Sequence, residues 1–238
     1  MTELYPAVDM LGGKAVRLTQ GDYSRKTEYA SDPLEAARRW VEAGARRLHV
    51  VDLDGAREGQ PVNLPQLRRI VEELGVPVQY GGGLRSAPDV EAALDSGAAR
   101  IVLGTAAFLQ EELLTDVLAE YGERIAVGLD VRSGRVAIRG WQEQVQLSPA
   151  AAVEQLVDRG VKTIVYTKID WDGMMHGADL GVARQLLRAA NGARVIYSGG
   201  IASLEDIGAL GALDLEGVIV GKALYEGRFT VNQALEVL

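Results

Sequence analysis

The chain has 238 residues, with 25 Lys plus Arg against 33 Asp plus Glu, and a formal net charge of −8. An acidic chain without a basic block argues against nucleic-acid and anionic-membrane surfaces. Zero cysteines exclude disulfides, a thiol nucleophile, zinc–thiolate sites and iron–sulfur clusters.

Short Val- and Ile-rich runs recur from one end of the chain to the other. They predict strands at Leu4–Asp9, Arg47–Asp52, Val76–Tyr80, Arg100–Gly104, Ile125–Asp130, Thr163–Thr167, Arg194–Ser198 and Gly217–Gly221. Continuous apolar runs this short suit strands covered on both faces. Between most of them, apolar spacings of three and four predict helices over Pro33–Ala43, Leu64–Leu74, Pro88–Ser96, Glu111–Tyr121, Pro149–Arg159, Leu180–Ala190 and Leu204–Leu210. Asp32-Pro33 and Ser148-Pro149 each place a cap before a first-turn proline. Ser86 with Asp89, and Ser203 with Asp206, have capping-box spacing. Eight strand–helix units at about 30 residues each predict one α/β domain over residues 1–238, a (β/α)8 TIM barrel. An open doubly wound sheet is disfavoured because no Gly-x-Gly-x-x-Gly follows the first strand.

The halves also repeat. A shift of 117 residues lays Tyr80–Ser86 on Tyr197–Ser203 and Val102–Ala106 on Ile219–Ala223. A shift of 118 brings Asp54-Gly55 onto Asp172-Gly173, and one of 121 brings Val8-Asp9 onto Leu129-Asp130. Ordered matches of this kind predict two half-barrels. Strands one and five then oppose each other, and Asp9 and Asp130 should face one cavity at the strand ends, where barrels keep their chemistry.

Glycine, at 28 residues, is well above the usual ~7%. Gly199-Gly200 and Gly221-Lys222 end strands seven and eight, and Gly82-Gly83 and Gly104-Thr105 repeat them on the other side. Such turns let a phosphate approach backbone N–H groups, although glycines can also serve tight turns alone. The pair of sites predicts a ligand with a phosphate at each end. Arg17, Arg85 and Lys222 could add charge.

Two aspartates on opposite walls make an acid–base pair, and their apolar neighbours favour raised pKa values. Thr167, ending strand six, could orient Asp130. Trp141, after Arg139-Gly140, lies in a loop over the mouth, to stack on a flat ring or to anchor the loop. His49 reads as a core or supporting residue and His176 as a loop residue; Trp40 reads as packing. The chemistry needs neither metal nor cofactor, and no obligatory protein partner is expected. The N-terminus has no signal pattern and no apolar run reaches about 18 residues, so a cytoplasmic protein is expected.

Taken together, the chain resembles the phosphoribosylformimino aminoimidazole carboxamide ribotide isomerases of histidine biosynthesis. The likeness runs through Pro6–Asp9, Val16–Gly21, His49–Ala56, Gly81–Arg85, Gly128–Asp130, Gly140-Trp141, Tyr166-Thr167, Ser198–Ile201 and Gly221–Tyr225. It implies a cofactor-free Amadori rearrangement of an aminoaldose to an aminoketose, with Asp9 as general base and Asp130 as general acid. It also implies a substrate with a phosphoribosyl group at each end. Lys168, Met174-Met175 and Asp179 depart from the family pattern, which leaves the loop after strand six, and Asp172 in it, without an assigned role. The cyclase of the same pathway shares the fold, but the Arg17–Gly21 loop and Gly140-Trp141 favour the isomerase. A dual-substrate isomerase that also serves tryptophan biosynthesis shares Arg139-Gly140-Trp141, but Gly81 stands where it would carry serine.

Overall fold

In a computed structural model, which describes residues 2–138, 141 and 143–238, eight parallel strands close into a barrel. They are Glu3–Leu11, Leu48–Asp52, Val78–Gly81, Arg100–Leu103, Ile125–Arg132, Thr163–Lys168, Arg194–Ser198 and Gly217–Val220. Each pairs with the next, and the eighth returns to the first through Tyr5 opposite Ile219. The predicted strands and the half-barrel repeat are all present, with ends displaced by at most two residues.

Period-two alternation divides each strand between two environments. Tyr5, Ala7, Val102, Ala126, Val165, Ile196 and Ile219 fill the barrel interior. Val8, Met10, Leu48, Val50, Val78 and Tyr80 face outward into the main core shared with the helices. The helix Leu64–Leu74 shows how that layer is built. Its Leu67 and Ile70, three apart, are fully buried, and each contributes about 1.5–3 kcal/mol by leaving water. Ile70→Ala would cost about 2–5 kcal/mol.

Helix starts follow the predicted caps. Asp32 accepts from Leu34 N at 3.0 Å, and Ser148 accepts from Ala151 N at 3.3 Å. The reciprocal box is complete at Ser203–Asp206. At Ser86, the Asp89 carboxylate takes the Arg85 N–H instead.

Two hairpins were not predicted. Lys14–Thr19 folds back on the first strand and continues into Asp22–Ala30. Arg135–Ile138 folds back on the fifth and pairs with Glu143–Gln144. They are related by the internal repeat. Gly12 and Ser133 both have positive φ at the hairpin turn. Each donates its N–H to a carboxylate on the following unit, Gly12 to Asp54 at 2.7 Å and Ser133 to Asp170 at 2.6 Å. The hairpins stand over the C-terminal mouth. At the other end, Glu216 takes Arg100 at 2.6 Å, Arg194 at 3.1 Å and the Tyr5 hydroxyl at 3.2 Å, closing the base of the barrel. Among the described residues, no helix is long and apolar enough to cross a membrane.

Candidate active site

At the strand C-termini lies a cavity of about 250 Å³. Asp9, Arg17, Gly82, Gly83, Arg85, Gly104, Thr105, Asp130, Trp141, Thr167, Gly199, Gly200, Gly221 and Lys222 all line it. Arg139 lies outside the described residues. Every other residue singled out from the sequence as a site candidate therefore reaches the same cavity.

Asp9 and Asp130 both point inward near the strand ends. The first and fifth strands are four steps apart around the eight-strand ring, so the two carboxylates occupy opposite walls. Asp9 is buried against Arg17, whose Nη1 donates to both carboxylate oxygens at 2.9 and 2.8 Å. Arg17 reaches Asp9 because the first hairpin returns Val16 to a position opposite Asp9. Its Nη2 donates to Asp172 at 3.2 Å. Burial pushes Asp9 up to about 6, Arg17 pulls it down, and the Asp172 charge adds to the rise. Near neutral pH, Asp9 is thus a carboxylate able to accept a proton.

Among the described residues, no arginine is bonded to Asp130. The Trp141 indole N–H donates to its Oδ2 at 2.7 Å, and the Thr167 hydroxyl bonds it from the next strand, where the two residues stand in register. Burial raises the Asp130 pKa and those two hydrogen bonds oppose the rise. Two carboxylates in one cavity are thereby given different surroundings, which is how a fold separates an acid from a base. The indole also packs flat on Gly21: a Cβ there would come within 2.0 Å of its ring. In this structure Trp141 covers the first hairpin at Gly21 and donates to Asp130.

His49 lines the cavity rather than sitting in the core. Its ring meets Gln79 at 2.8 Å, and burial with the Arg17 charge lowers its pKa to about 3, so it is neutral. His176 is exposed on its loop, and Trp40 is buried as packing.

The glycine turns have a second reason to be glycine. Gly82 and Gly83 have φ of +117° and +77°, and a Cβ would come within 2.2 Å of the Asp52 carbonyl and 2.6 Å of Gln60. At Gly199 and Gly200 it would meet the carbonyls of Lys168 at 2.7 Å and Gly177 at 2.4 Å. Gly104 differs: a Cβ would meet nothing within 4 Å. Gly104 and Gly221 begin the short helices Thr105–Leu109 and Lys222–Tyr225 with no side-chain cap, leaving those ends open toward the cavity. Arg17 lies so close to Gly221 that a Cβ would sit 2.5 Å from its guanidinium carbon. Among the described residues, Arg17 Nε is buried with no hydrogen-bond partner. Lys222 holds the Gly173 carbonyl at 2.9 Å, and Arg85 packs on Gly59.

Sequence reasoning missed the role of the loop after strand six. Asp172 anchors Arg17, and the departures at 168 and 179 explain one another, because Lys168 forms an ion pair with Asp179. The Lys168 ammonium also sits 3.3 Å over the Trp171 ring. The available signal was the match of Asp172-Gly173 to Asp54-Gly55.

The sequence model of a family described as "Histidine biosynthesis protein" matches residues 3–230. Similar chains include three named 1-(5-phosphoribosyl)-5-((5-phosphoribosylamino)methylideneamino) imidazole-4-carboxamide isomerase. That of Roseiflexus castenholzii is 44% identical over 233 residues, 98% of both chains. That of Synechocystis is 45% identical over 239 aligned positions, 99% of this chain and 93% of its own. That of Desulforudis audaxviator is 46% identical over 236 residues, 98% and 89%.

Proposed function

The chain belongs to the histidine biosynthesis protein family, and from this premise we infer that it is that pathway's aldose–ketose isomerase, acting on the aminoaldose named in its relatives. We further propose how its residues divide the work. Asp130 gives its proton to the ribose ring oxygen. The bond from that oxygen to the anomeric carbon breaks, and the nitrogen lone pair forms an iminium. Asp9 then removes the proton from the neighbouring carbon, and those electrons neutralise the iminium. The resulting enolamine tautomerises to the aminoketose. No atom is gained or lost, and two proton movers suffice.

The single observation that carries this reading is the placing of a buried and a half-buried carboxylate on opposite walls of one cavity, the first held by Arg17 and the second by Trp141 and Thr167. The substrate's two phosphates fit the two turn pairs, with Gly82-Gly83 and Gly104 on one side and Gly199-Gly200 and Gly221 on the other. The unspent Nε of Arg17 supplies a donor beside Gly221. Holding a substrate at both ends fixes the reacting carbons between the carboxylates, and such positioning accounts for much of a rate enhancement. The same reading takes residues 1–238 as one barrel domain working in the cytoplasm on a small bisphosphorylated molecule. An assay of the purified protein with the aminoaldose tests it: appearance of the aminoketose supports the reading, and unchanged substrate removes it.

A further inference from the structure

Arg132 ends the fifth barrel strand two residues past Asp130, so strand alternation puts it on the same face, one step nearer the mouth. Its guanidinium is forked between two loops. Nη1 donates to the Trp141 carbonyl at 3.0 Å and Nη2 to the Gln20 carbonyl at 3.2 Å. Each arm leads to one of the two carboxylates. Trp141 passes its indole N–H to Asp130. Gln20 is bound in turn to the loop after strand six, its side chain to the Asp170 carbonyl at 2.8 Å and its N–H to the Asp172 carbonyl at 3.2 Å. Asp172 holds Arg17, and Arg17 holds Asp9. Gln20 and Trp141 both have positive φ, at 54° and 70°, a conformation that persists only where surrounding contacts hold it.

We propose that Arg132 is a positioning residue for the isomerisation, tying the two mouth hairpins together and so keeping the partners of Asp9 and of Asp130 aligned at once. This rests on the acid–base reading above. Lysine would not serve equally, because its single ammonium lacks the planar fork that spans two carbonyls. Arg132 is not among the residues that line the cavity with the glycine turns, so its loss should act on turnover more than on substrate binding.

The test is a double-mutant cycle with the aminoaldose as substrate, on protein shown to be folded by far-UV circular dichroism. Arg132→Met should lower kcat about tenfold with KM within about threefold, and Trp141→Phe should lower kcat by about tenfold or more. If Arg132 works through Trp141, the double variant loses no more than about threefold beyond the worse single variant. Multiplied losses, about a hundredfold, together with an acid limb of kcat/KM that stays in place in Arg132→Met, overturn the proposal, as does an Arg132→Met enzyme with normal kcat. Should Arg132→Met fail to fold, Arg132→Lys takes its place in the same cycle with the same criterion. Wild-type protein that leaves the aminoaldose unchanged would instead defeat the underlying isomerase reading.

Discussion

Replacing Arg17 by methionine probes the base directly. In the wild type, burial raises Asp9 to about 6 although Arg17 Nη1 touches both its oxygens. An opposite charge at that distance lowers a carboxyl pKa by about 1–3 units. Without it, Asp9 should ionise only between about pH 7 and pH 9, and the Asp172 charge, no longer neutralised, pushes the same way. The base must be ionised to work, so activity falls as pH drops through its pKa. For the wild type, kcat/KM should fall about tenfold per pH unit below about 6. For Arg17→Met that limb should move up by about 1–3 units, giving a loss of about 2- to 100-fold at pH 7 from ionisation alone, partly recovered toward pH 9. The assay is kcat/KM for the aminoaldose from pH 4.5 to 9.5, which reports the free enzyme. An acid limb that stays in place after Arg17 is removed would refute the assignment of Asp9 as the base tuned by that contact.

Asp130→Asn should lower turnover by about 10²–10⁴-fold. Its native pKa is raised, so the folded state favours the protonated carboxyl, and stability is lost as pH rises through the pKa of the unfolded chain toward the folded one. Asparagine avoids that loss, so the variant should melt higher than wild type at pH 8, with the gain shrinking on acidification in thermal melts. Gly104→Ala should raise KM about tenfold with an unchanged melting temperature, because the new methyl occupies only space where a phosphate would approach. Gly200→Val, by contrast, should destabilise the barrel itself, because its Cβ would sit 2.4 Å from the Gly177 carbonyl; denaturant unfolding checks this. Lys168→Met removes the Asp179 ion pair and the ring contact with Trp171, and should lower the melting temperature by about 2–4 °C.

The barrel was legible because strands covered on both faces must be continuously apolar, and Leu48–Asp52 or Gly217–Val220 leaves little alternative. The hairpin strand Asp22–Ala30 was not, because the five residues from Ser24 to Glu28 are all exposed and carry no hydrophobic period. Only the Gly12-Gly13 and Ser133-Gly134 turns announced the hairpins. That omission hid part of the work of Arg17: besides the charge it offers a phosphate, it spends both terminal nitrogens on Asp9 and Asp172, a contact that exists only because the first hairpin folds back. The glycine turns, read from the sequence as phosphate sites, do line the cavity, but the crowding behind them was invisible. Nothing in the order of residues reveals that Gly82 presses on the Asp52 carbonyl or that Gly200 presses on Gly177. For that reason Gly200→Val, which sequence reasoning alone would choose to weaken a phosphate site without unfolding the chain, cannot separate the two effects, whereas Gly104→Ala does. Asp9 and Asp130 were found because the internal repeat places equivalent strand ends on opposite walls.

The acid–base proposal has two carboxylates move the protons of one rearrangement while the flanking turns hold the substrate. Its most direct measurement is paired: turnover and equilibrium affinity for the aminoaldose in Asp9→Asn and in Asp130→Asn, with a chelator present throughout. Wild-type conversion should be unaffected by the chelator, turnover should fall about 10²–10⁴-fold in each variant, and affinity should stay within about threefold of wild type. Near-normal turnover in either variant would contradict it.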